Sequence, residues 1–263
     1  MVDTIAIIPG AEAWAAPGEG ERATVGVVVT HGFTGNPLAT RPLGEALNAA
    51  GYSVEVPRLP GHGTSVKDMA RTRYQEWRAE VERAVDDLRG RCDQVVLVGH
   101  SMGGTISLDV ASRRPDEIVS TVVINPQVLD PDQALAKVAP ILQYVLPVVP
   151  RDLAGLPSDD IAKPGVDEGA YSKVPAKAAQ SLIRELPRIR AQLLDLTCPL
   201  LVVVSPQDHT VDPRNSRAVQ EFAASADITE VVCERSYHVP MLDWDADLVT
   251  DEVLAFVSRT TGV

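Results

Sequence analysis

Short apolar runs that suit β-strands alternate with amphipathic helical segments along the first half of this 263-residue chain. Residues 25–30 and 94–98 are almost entirely β-branched or aliphatic, as in strands that are buried on both faces. Between them, residues 74–88 place apolar side chains at helical spacing with charges in between. This alternation predicts an α/β fold with a mostly parallel central sheet flanked by helices.

The same reasoning extends to most of the chain. Its length suits one large α/β domain rather than several small ones. Gly51 lies where a helix end favours a left-handed residue, and Pro115 marks another helix end. The patterns predict further strands over 52–56, 118–124, 200–204 and 229–233, and helices over 42–50, 74–88, 102–113, 213–224 and 247–259.

The rhythm breaks after Asn125, where prolines recur and no convincing buried strand is found. We interpret residues 127–192 as an inserted cap, or lid, of short helices and loops. The core of the domain is then formed by residues 1–126 and 193–263. The apolar stretch 141–149 suits either an acyl-binding wall and lipid contact or the packing of the cap itself.

Charge and composition limit the function classes. The chain has 24 Lys and Arg against 36 Asp and Glu, a net charge of −12, which opposes binding to nucleic acid. Its three cysteines have neither metal-site nor redox-pair spacing, so we interpret them as small buried residues. We expect no metal, nucleotide or redox cofactor. A start without a basic leader and the lack of a long apolar run predict a cytoplasmic protein that spans no membrane.

Ser101 is the predicted nucleophile. It lies at the centre of residues 99–103, Gly-His-Ser-Met-Gly, between a predicted buried strand and a predicted helix. A very tight strand-to-helix turn exposes the serine hydroxyl, and the flanking glycines avoid clashes with neighbouring backbone. The helix N-terminus also points its dipole toward charge that develops there.

A serine hydroxyl needs a general base at neutral pH, and His238 is the predicted one. It follows the last predicted strand and precedes the last predicted helix. We expect the other histidines to orient or brace loops, with His62 on a surface loop, either solvated or bracing it. These are His31, His62, His100 and His209.

Asp208 is the predicted acid that orients His238. It comes just beyond the predicted strand 200–204, and the order Ser, Asp, His is the one that this type of fold uses. Asp212 is the rival, but its place before Pro213 is typical of a helix N-cap.

The oxyanion of an acyl-transfer reaction needs two backbone N–H donors. Met102, directly after the predicted nucleophile, supplies one. The loop 31–35, His-Gly-Phe-Thr-Gly, follows the first strand and supplies the other, for which Phe33 is the better candidate and Thr34 the alternative.

With these motifs in order, the chain resembles the α/β-hydrolase superfamily over essentially its full length. More narrowly, it is similar to the bacterial carboxylesterase and monoacylglycerol lipase group in residues 31–35, 99–104 and 236–243. The resemblance implies a cap over an apolar acyl tunnel, with Glu168 binding the glycerol and Leu156 contacting the acyl chain. A solvated surface position is the alternative for Glu168, and the many prolines of this cap depart from the expected pattern.

The resulting hypothesis is a serine hydrolase that cleaves monoacylglycerols or short- to medium-chain esters through an acyl-enzyme. A general carboxylesterase, a thioesterase and an acyltransferase use the same triad and stay open as alternatives. A non-catalytic binding protein on a hydrolase fold is the remote alternative. We expect a small-molecule ester substrate and transient contact of the cap with lipid surfaces, while the oligomeric state stays open.

Overall fold

The computed structural model describes residues 6–131, 147–154, 157 and 159–263. A seven-stranded sheet forms its centre, in the order β1-β3-β2-β4-β5-β8-β9. The edge strand β1 pairs antiparallel with β3. The other pairings of this sheet are parallel, which confirms the predicted mostly parallel sheet. The strands are β1 (Trp14–Ala16), β2 (Val25–Thr30), β3 (Ser53–Val56), β4 (Gln94–His100), β5 (Ser120–Ile124), β8 (Leu200–Val204) and β9 (Ile228–Val232).

Helices cover both faces of this sheet. They are α1 (Arg41–Ala49), α2 (Val66–Met69), α3 (Tyr74–Arg89), α4 (Met102–Arg113), α5 (Ala176–Ile183), α6 (Leu186–Gln192), α7 (Arg214–Phe222) and α8 (Ala246–Thr261). Among the described residues, none of these helices is both long and apolar enough to cross a bilayer.

The alternation of side chains along β2 shows how the two cores are built. Val28 belongs to one apolar cluster with residues of α3 and α4, such as Trp77 and Ile106. Val27 and Val29 belong to a second cluster on the opposite face, which contains residues of α1 and α8. Because both faces are covered, all six residues of β2 are buried. This explains why the strand is apolar throughout instead of alternating.

The chain between β5 and β8 contains two strands that the sequence did not predict. β6 (Val148–Pro150) and β7 (Lys173–Pro175) form a two-stranded antiparallel sheet, with Val149 opposite Val174. The expectation of only helices and loops in this segment is therefore wrong. Each strand has three residues and ends in proline, and its partner is more than 20 residues away. No local pattern reveals such a pairing. β1, three residues at a sheet edge, was missed for the same reason.

The cysteines differ in burial. Cys198 and Cys233 are buried, as expected, whereas Cys92 is only partly buried. All three are free thiols. Burial raises the pKa of the Cys233 thiol to about 12, and the nearby Asp245 and Asp243 carboxylates add to that rise.

Candidate active site

Ser101 lies in a strained turn between β4 and α4. Its backbone angles are φ 53° and ψ −120°, a region that residues with a Cβ rarely adopt. The flanking glycines are required by space. A Cβ on Gly99 would lie 2.3 Å from the carbonyl oxygen of Gly103, and one on Gly103 would lie 2.2 Å from that of Thr30. The turn thus needs glycine on both sides to bring the serine out of the sheet.

Asp208 and His238 form a close buried pair. Asp208 follows β8 and His238 follows β9, so adjacent parallel strands bring the two loops together. The Nδ1 of His238 and the Oδ2 of Asp208 are 2.6 Å apart, and both side chains are at most 5% exposed. The other carboxylate oxygen of Asp208 accepts the backbone N–H groups of Thr210 and Val211, at 2.8 and 2.7 Å.

The charge around His238 makes its imidazole more basic. Burial by itself lowers the pKa of this ring and is the largest single effect, while the adjacent Asp208 carboxylate raises the pKa through its charge and its hydrogen bond. Glu168 and Asp160 add to the rise, so the pKa of His238 lies above its ordinary value. With Asp208 accepting the Nδ1 proton, the Nε2 of neutral His238 can take a proton from a neighbouring hydroxyl.

In the other buried histidines the pKa is shifted in the opposite direction, below its ordinary value. Burial lowers the pKa of His31 to about 4, and lowers those of His62 and His100 well below the ordinary value. The Nε2 of His31 accepts the backbone N–H of Leu59, and its Nδ1 lies 2.9 Å from the carbonyl oxygen of Gly32. These rings are neutral braces, as expected. The solvated alternative for His62 is wrong, because it is 0% exposed and packs against Trp77.

Two groups hold the backbone of His238. The Nε2 of His100 and the Nδ2 of Asn125 each lie 2.9 Å from its carbonyl oxygen. Asn125 has a left-handed backbone, with φ 46°, and also accepts the N–H of Ser205 at the start of the loop that carries Asp208. The sequence offered one signal for this role, namely the position of Asn125 directly after β5.

The two predicted oxyanion donors, Phe33 and Met102, line the same cavity as Ser101. Met102 is the first residue of α4, where a backbone N–H has no partner within the helix. Phe33 lines the same cavity as Ser101, and its ring packs against Trp77, with the ring centroids 5.8 Å apart. The use of these two N–H groups in binding an oxyanion stays a prediction.

A cavity with an apolar wall opens above Ser101. Its wall on the side of the segment between β5 and β8 is formed by Val149, Val174, Ala176, Ala179, Leu182 and Ile183. Ser101, His238, Phe33, Met102 and Glu168 line the cavity together. Asp208 lies behind His238, to which it is bonded. Leu156, the predicted acyl contact, lies outside the described residues.

Glu168 and Arg151 are two charged residues in the lining of this cavity. Glu168 is 6% exposed, so the solvated alternative is wrong. The Nη1 of Arg151 lies 3.7 Å from Oε1 of Glu168 and donates to the Thr34 hydroxyl at 3.2 Å. Burial raises the pKa of Glu168, although the positive charge of Arg151 opposes that effect. The sequence pattern gave no signal for Arg151, because an arginine usually lies in solvent.

The described sheet, the serine turn after β4 and the bonded Asp208–His238 pair after β8 and β9 define the α/β-hydrolase fold. Comparison with protein families agrees with this class. The family model described as serine aminopeptidase, S33 (Hydrolase_4) matches residues 21–245. The chain belongs to this family.

Similar proteins include named lipases and esterases. A thermostable monoacylglycerol lipase of Bacillus sp. (strain H-257) is 37% identical over 262 residues, covering all of both chains. A carboxylesterase of Bacillus subtilis (strain 168) is 24% identical, covering 89% of this chain and 92% of the relative.

Solved structures show the same fold. One of two metagenome-derived lipolytic enzymes superposes with a TM-score of 0.90 at 32% identity, covering 97% of this chain and 100% of that one. The monoacylglycerol lipase of Paleococcus ferrophilus superposes with a TM-score of 0.79 at 22% identity, covering 95% of this chain and 99% of that one.

Proposed function

We propose that this protein hydrolyses carboxylic esters, with monoacylglycerols as its main substrate class and Ser101, His238 and Asp208 as its catalytic triad. The observation that carries this proposal is the 2.6 Å bond between Asp208 and His238, because the ring of His238 lines one cavity together with Ser101. A buried carboxylate that accepts a hydrogen bond from Nδ1–H keeps the proton on Nδ1, so the lone pair of Nε2 is available as a general base.

The reaction follows in two halves. The Ser101 oxygen attacks the acyl carbonyl carbon while His238 takes the hydroxyl proton, and backbone N–H groups of Phe33 and Met102 stabilise the oxyanion. His238 then gives that proton to the leaving alcohol, which leaves an acyl-enzyme. Water attacks the acyl carbon, His238 takes its proton, and the proton returns to Ser101 as the acid departs.

The cavity has an apolar wall and a charged pair, which together suit an ester of a fatty acid and a polyol. The apolar wall suits an acyl chain, whose burial contributes roughly 0.8 kcal/mol per CH₂ group. This wall consists of Val149, Val174, Ala176, Ala179, Leu182 and Ile183. Glu168 and Arg151 offer an acceptor and donors to the hydroxyl groups of a polyol. Two similar proteins are named monoacylglycerol lipases, which supports monoacylglycerols as the substrate class.

We also propose that residues 127–192 act as a cap and that this cap contacts lipid surfaces. Leu153, beside the cavity residue Ala154, has 67% of its surface exposed. Its apolar side chain is therefore available to such a surface.

The test is a substrate panel with purified protein. It contains 1- and 2-monoacylglycerols, 4-nitrophenyl esters, acyl-CoA thioesters, an aminoacyl 4-nitroanilide, and di- and triacylglycerols. We expect the highest kcat/KM on monoacylglycerols. Strong turnover of small esters with weak turnover of every monoacylglycerol would identify a general carboxylesterase instead, and preference for the thioester or the anilide would refute ester specificity.

Ser101→Ala is the control for the nucleophile. It removes the hydroxyl and leaves the Cβ in place, so we expect a folded protein that neither turns over esters nor reacts with a fluorophosphonate probe. Retained turnover in this variant would contradict the assignment of Ser101.

A further inference from the structure

A short segment of the chain between β5 and β8 lies across the two loops that carry the acid and the base. We name residues 160–163 the strap, residues 205–213 the acid loop and residues 233–245 the base loop. The acid loop contains Asp208, and the base loop contains His238. The strap is bonded to both of them through buried carboxylates.

Asp160 joins the strap to the acid loop. The residue is only 3% exposed. Its carboxylate contacts His209 and Thr210, the two residues that directly follow Asp208. Oδ2 accepts the backbone N–H of His209 at 2.8 Å and the Thr210 hydroxyl at 3.2 Å. Oδ1 lies 2.8 Å from Nδ1 of His209. Thr210 in turn donates its own backbone N–H to Asp208.

Asp243 joins the strap to the base loop. This residue is 1% exposed. From the strap it accepts the backbone N–H groups of Ala162, at 2.7 Å, and Lys163, at 2.9 Å. From its own loop it accepts the N–H of Tyr237, the residue before His238, at 3.0 Å. One carboxylate therefore bonds both the strap and the neighbour of the base.

The two loops also contact each other beneath the strap. The rings of His209 and Tyr237 meet edge to face, with centroids 4.5 Å apart. A buried carboxylate without hydrogen bonds would cost several kcal/mol. Asp160 is satisfied by donors of the acid loop, and Asp243 by donors of both the strap and its own base loop. The neighbours of the acid and the base are thereby fixed to one common element.

We propose that the strap holds the acid loop and the base loop at their catalytic separation, and that Asp160 and Asp243 are positioning residues for the Asp208–His238 pair. This inference rests on the proposed hydrolase function. Neither residue touches the reacting atoms. A displacement of a catalytic group by about 1 Å lowers the rate by about 100-fold, which sets the scale of what the strap can contribute.

Asp160 also acts on His238 through its charge. Burial lowers the pKa of His238, and three carboxylates, on Asp208, Glu168 and Asp160, raise it. The ring of His100, 4.7 Å from that of His238, is neutral because burial lowers its own pKa. Removing the Asp160 charge therefore lowers the pKa of His238. Because the neutral ring is the base, the acid limb of the rate profile moves to lower pH.

The test compares Asp160→Asn with its matched control, Asp159→Asn, which removes the same charge from the exposed residue one position earlier. For Asp160→Asn we expect kcat on a 4-nitrophenyl ester to fall by roughly 10- to 100-fold. We also expect a nearly unchanged KM and an acid limb at lower pH. The control should keep the wild-type kcat and acid limb. Equal kcat values and acid limbs in the two variants would overturn the proposal.

His209→Ala is a second variant that separates bonding from charge. The His209 side chain is 57% exposed, so its removal leaves the fold intact. One of the three bonds to Asp160 and the ring contact with Tyr237 are lost, while the Asp160 carboxylate charge stays. We expect kcat to fall by roughly threefold to tenfold with no movement of the acid limb. An unchanged kcat would count against the strap.

A readout without substrate separates the strap from the proposed function. The ring of His238 is titrated by NMR in the wild type, Asp160→Asn and Asp159→Asn proteins after labelling of the histidines. A lower pKa in Asp160→Asn alone supports the strap even if the panel shows no ester turnover, a result that would end the hydrolase proposal. Identical titrations in all three proteins would refute the strap even if ester turnover is strong.

Discussion

Replacing Ser101 by glycine is expected to make the protein more stable while abolishing its activity. The strained backbone of Ser101, with φ 53° and ψ −120°, costs about 1–3 kcal/mol for a residue with a Cβ. Glycine adopts such angles without that cost. Its greater conformational freedom in the unfolded chain, however, lowers the free energy of unfolding by about 0.5–1 kcal/mol. The middle of the two ranges, about 2 and about 0.75 kcal/mol, gives a net gain for Ser101→Gly over Ser101→Ala of about 1 kcal/mol.

The comparison with alanine isolates the strain, because both variants lack the hydroxyl and differ only in the Cβ. At this chain length, 1 kcal/mol corresponds to about 2–4 °C in Tm, so the glycine variant should melt roughly 2–4 °C above the alanine variant. Urea unfolding followed by circular dichroism gives the free energies, and calorimetry gives Tm. A glycine variant that is no more stable than the alanine variant would refute the strain argument.

Three further predictions concern the acid, the base and the core. Asp208→Asn should lower kcat by about 10,000-fold in an ester assay, with a small effect on KM, because the amide no longer holds the required tautomer of His238; a loss below tenfold would contradict its role. The kcat/KM of the wild type should fall with decreasing pH, with an apparent pKa above the ordinary value of His, since burial is outweighed by the carboxylates of Asp208, Glu168 and Asp160 together; a pH–rate profile with a midpoint below about 6.5 would contradict this. Asp109→Asn should reduce the free energy of unfolding by about 3–5 kcal/mol at pH 7, because buried Asp109 accepts hydrogen bonds from Tyr74, Arg113 and Arg188. Burial raises the pKa of Asp109, but these three donors lower it by more, so its net pKa is depressed. The difference in unfolding free energy between wild type and Asp109→Asn should therefore be present above about pH 4 and vanish as the pH falls through the depressed pKa, as measured by urea unfolding.

Much of the central sheet could be predicted because its signals are local. The bounds of β2, β8 and α4 agree with the predicted 25–30, 200–204 and 102–113. Buried parallel strands are apolar along their whole length, and the glycines around Ser101 mark a turn that few other arrangements require. In such segments the residues alone carry the information.

The remaining features depend on partners that are distant in the chain. β6 and β7 are defined by each other, across more than 20 residues. Asp160 contacts His209 across 49 residues, and its own neighbours in sequence do not distinguish it from Asp159. Burial of Glu168 against Arg151 likewise follows from tertiary packing. A single sequence shows the charge of such residues but not the donors that satisfy it.

The places where the chain leaves and rejoins the sheet have a consequence for how this architecture changes over evolution. β5 and β8 are hydrogen-bonded neighbours, with Ile124 opposite Val203, although about 75 residues separate them. The two ends of the intervening segment are therefore already close together. Doubling the length of such a connection adds only about 0.6 kcal/mol of closure entropy, so insertions and deletions there leave the sheet nearly undisturbed. New specificities can arise in this segment without rebuilding the machinery beneath it.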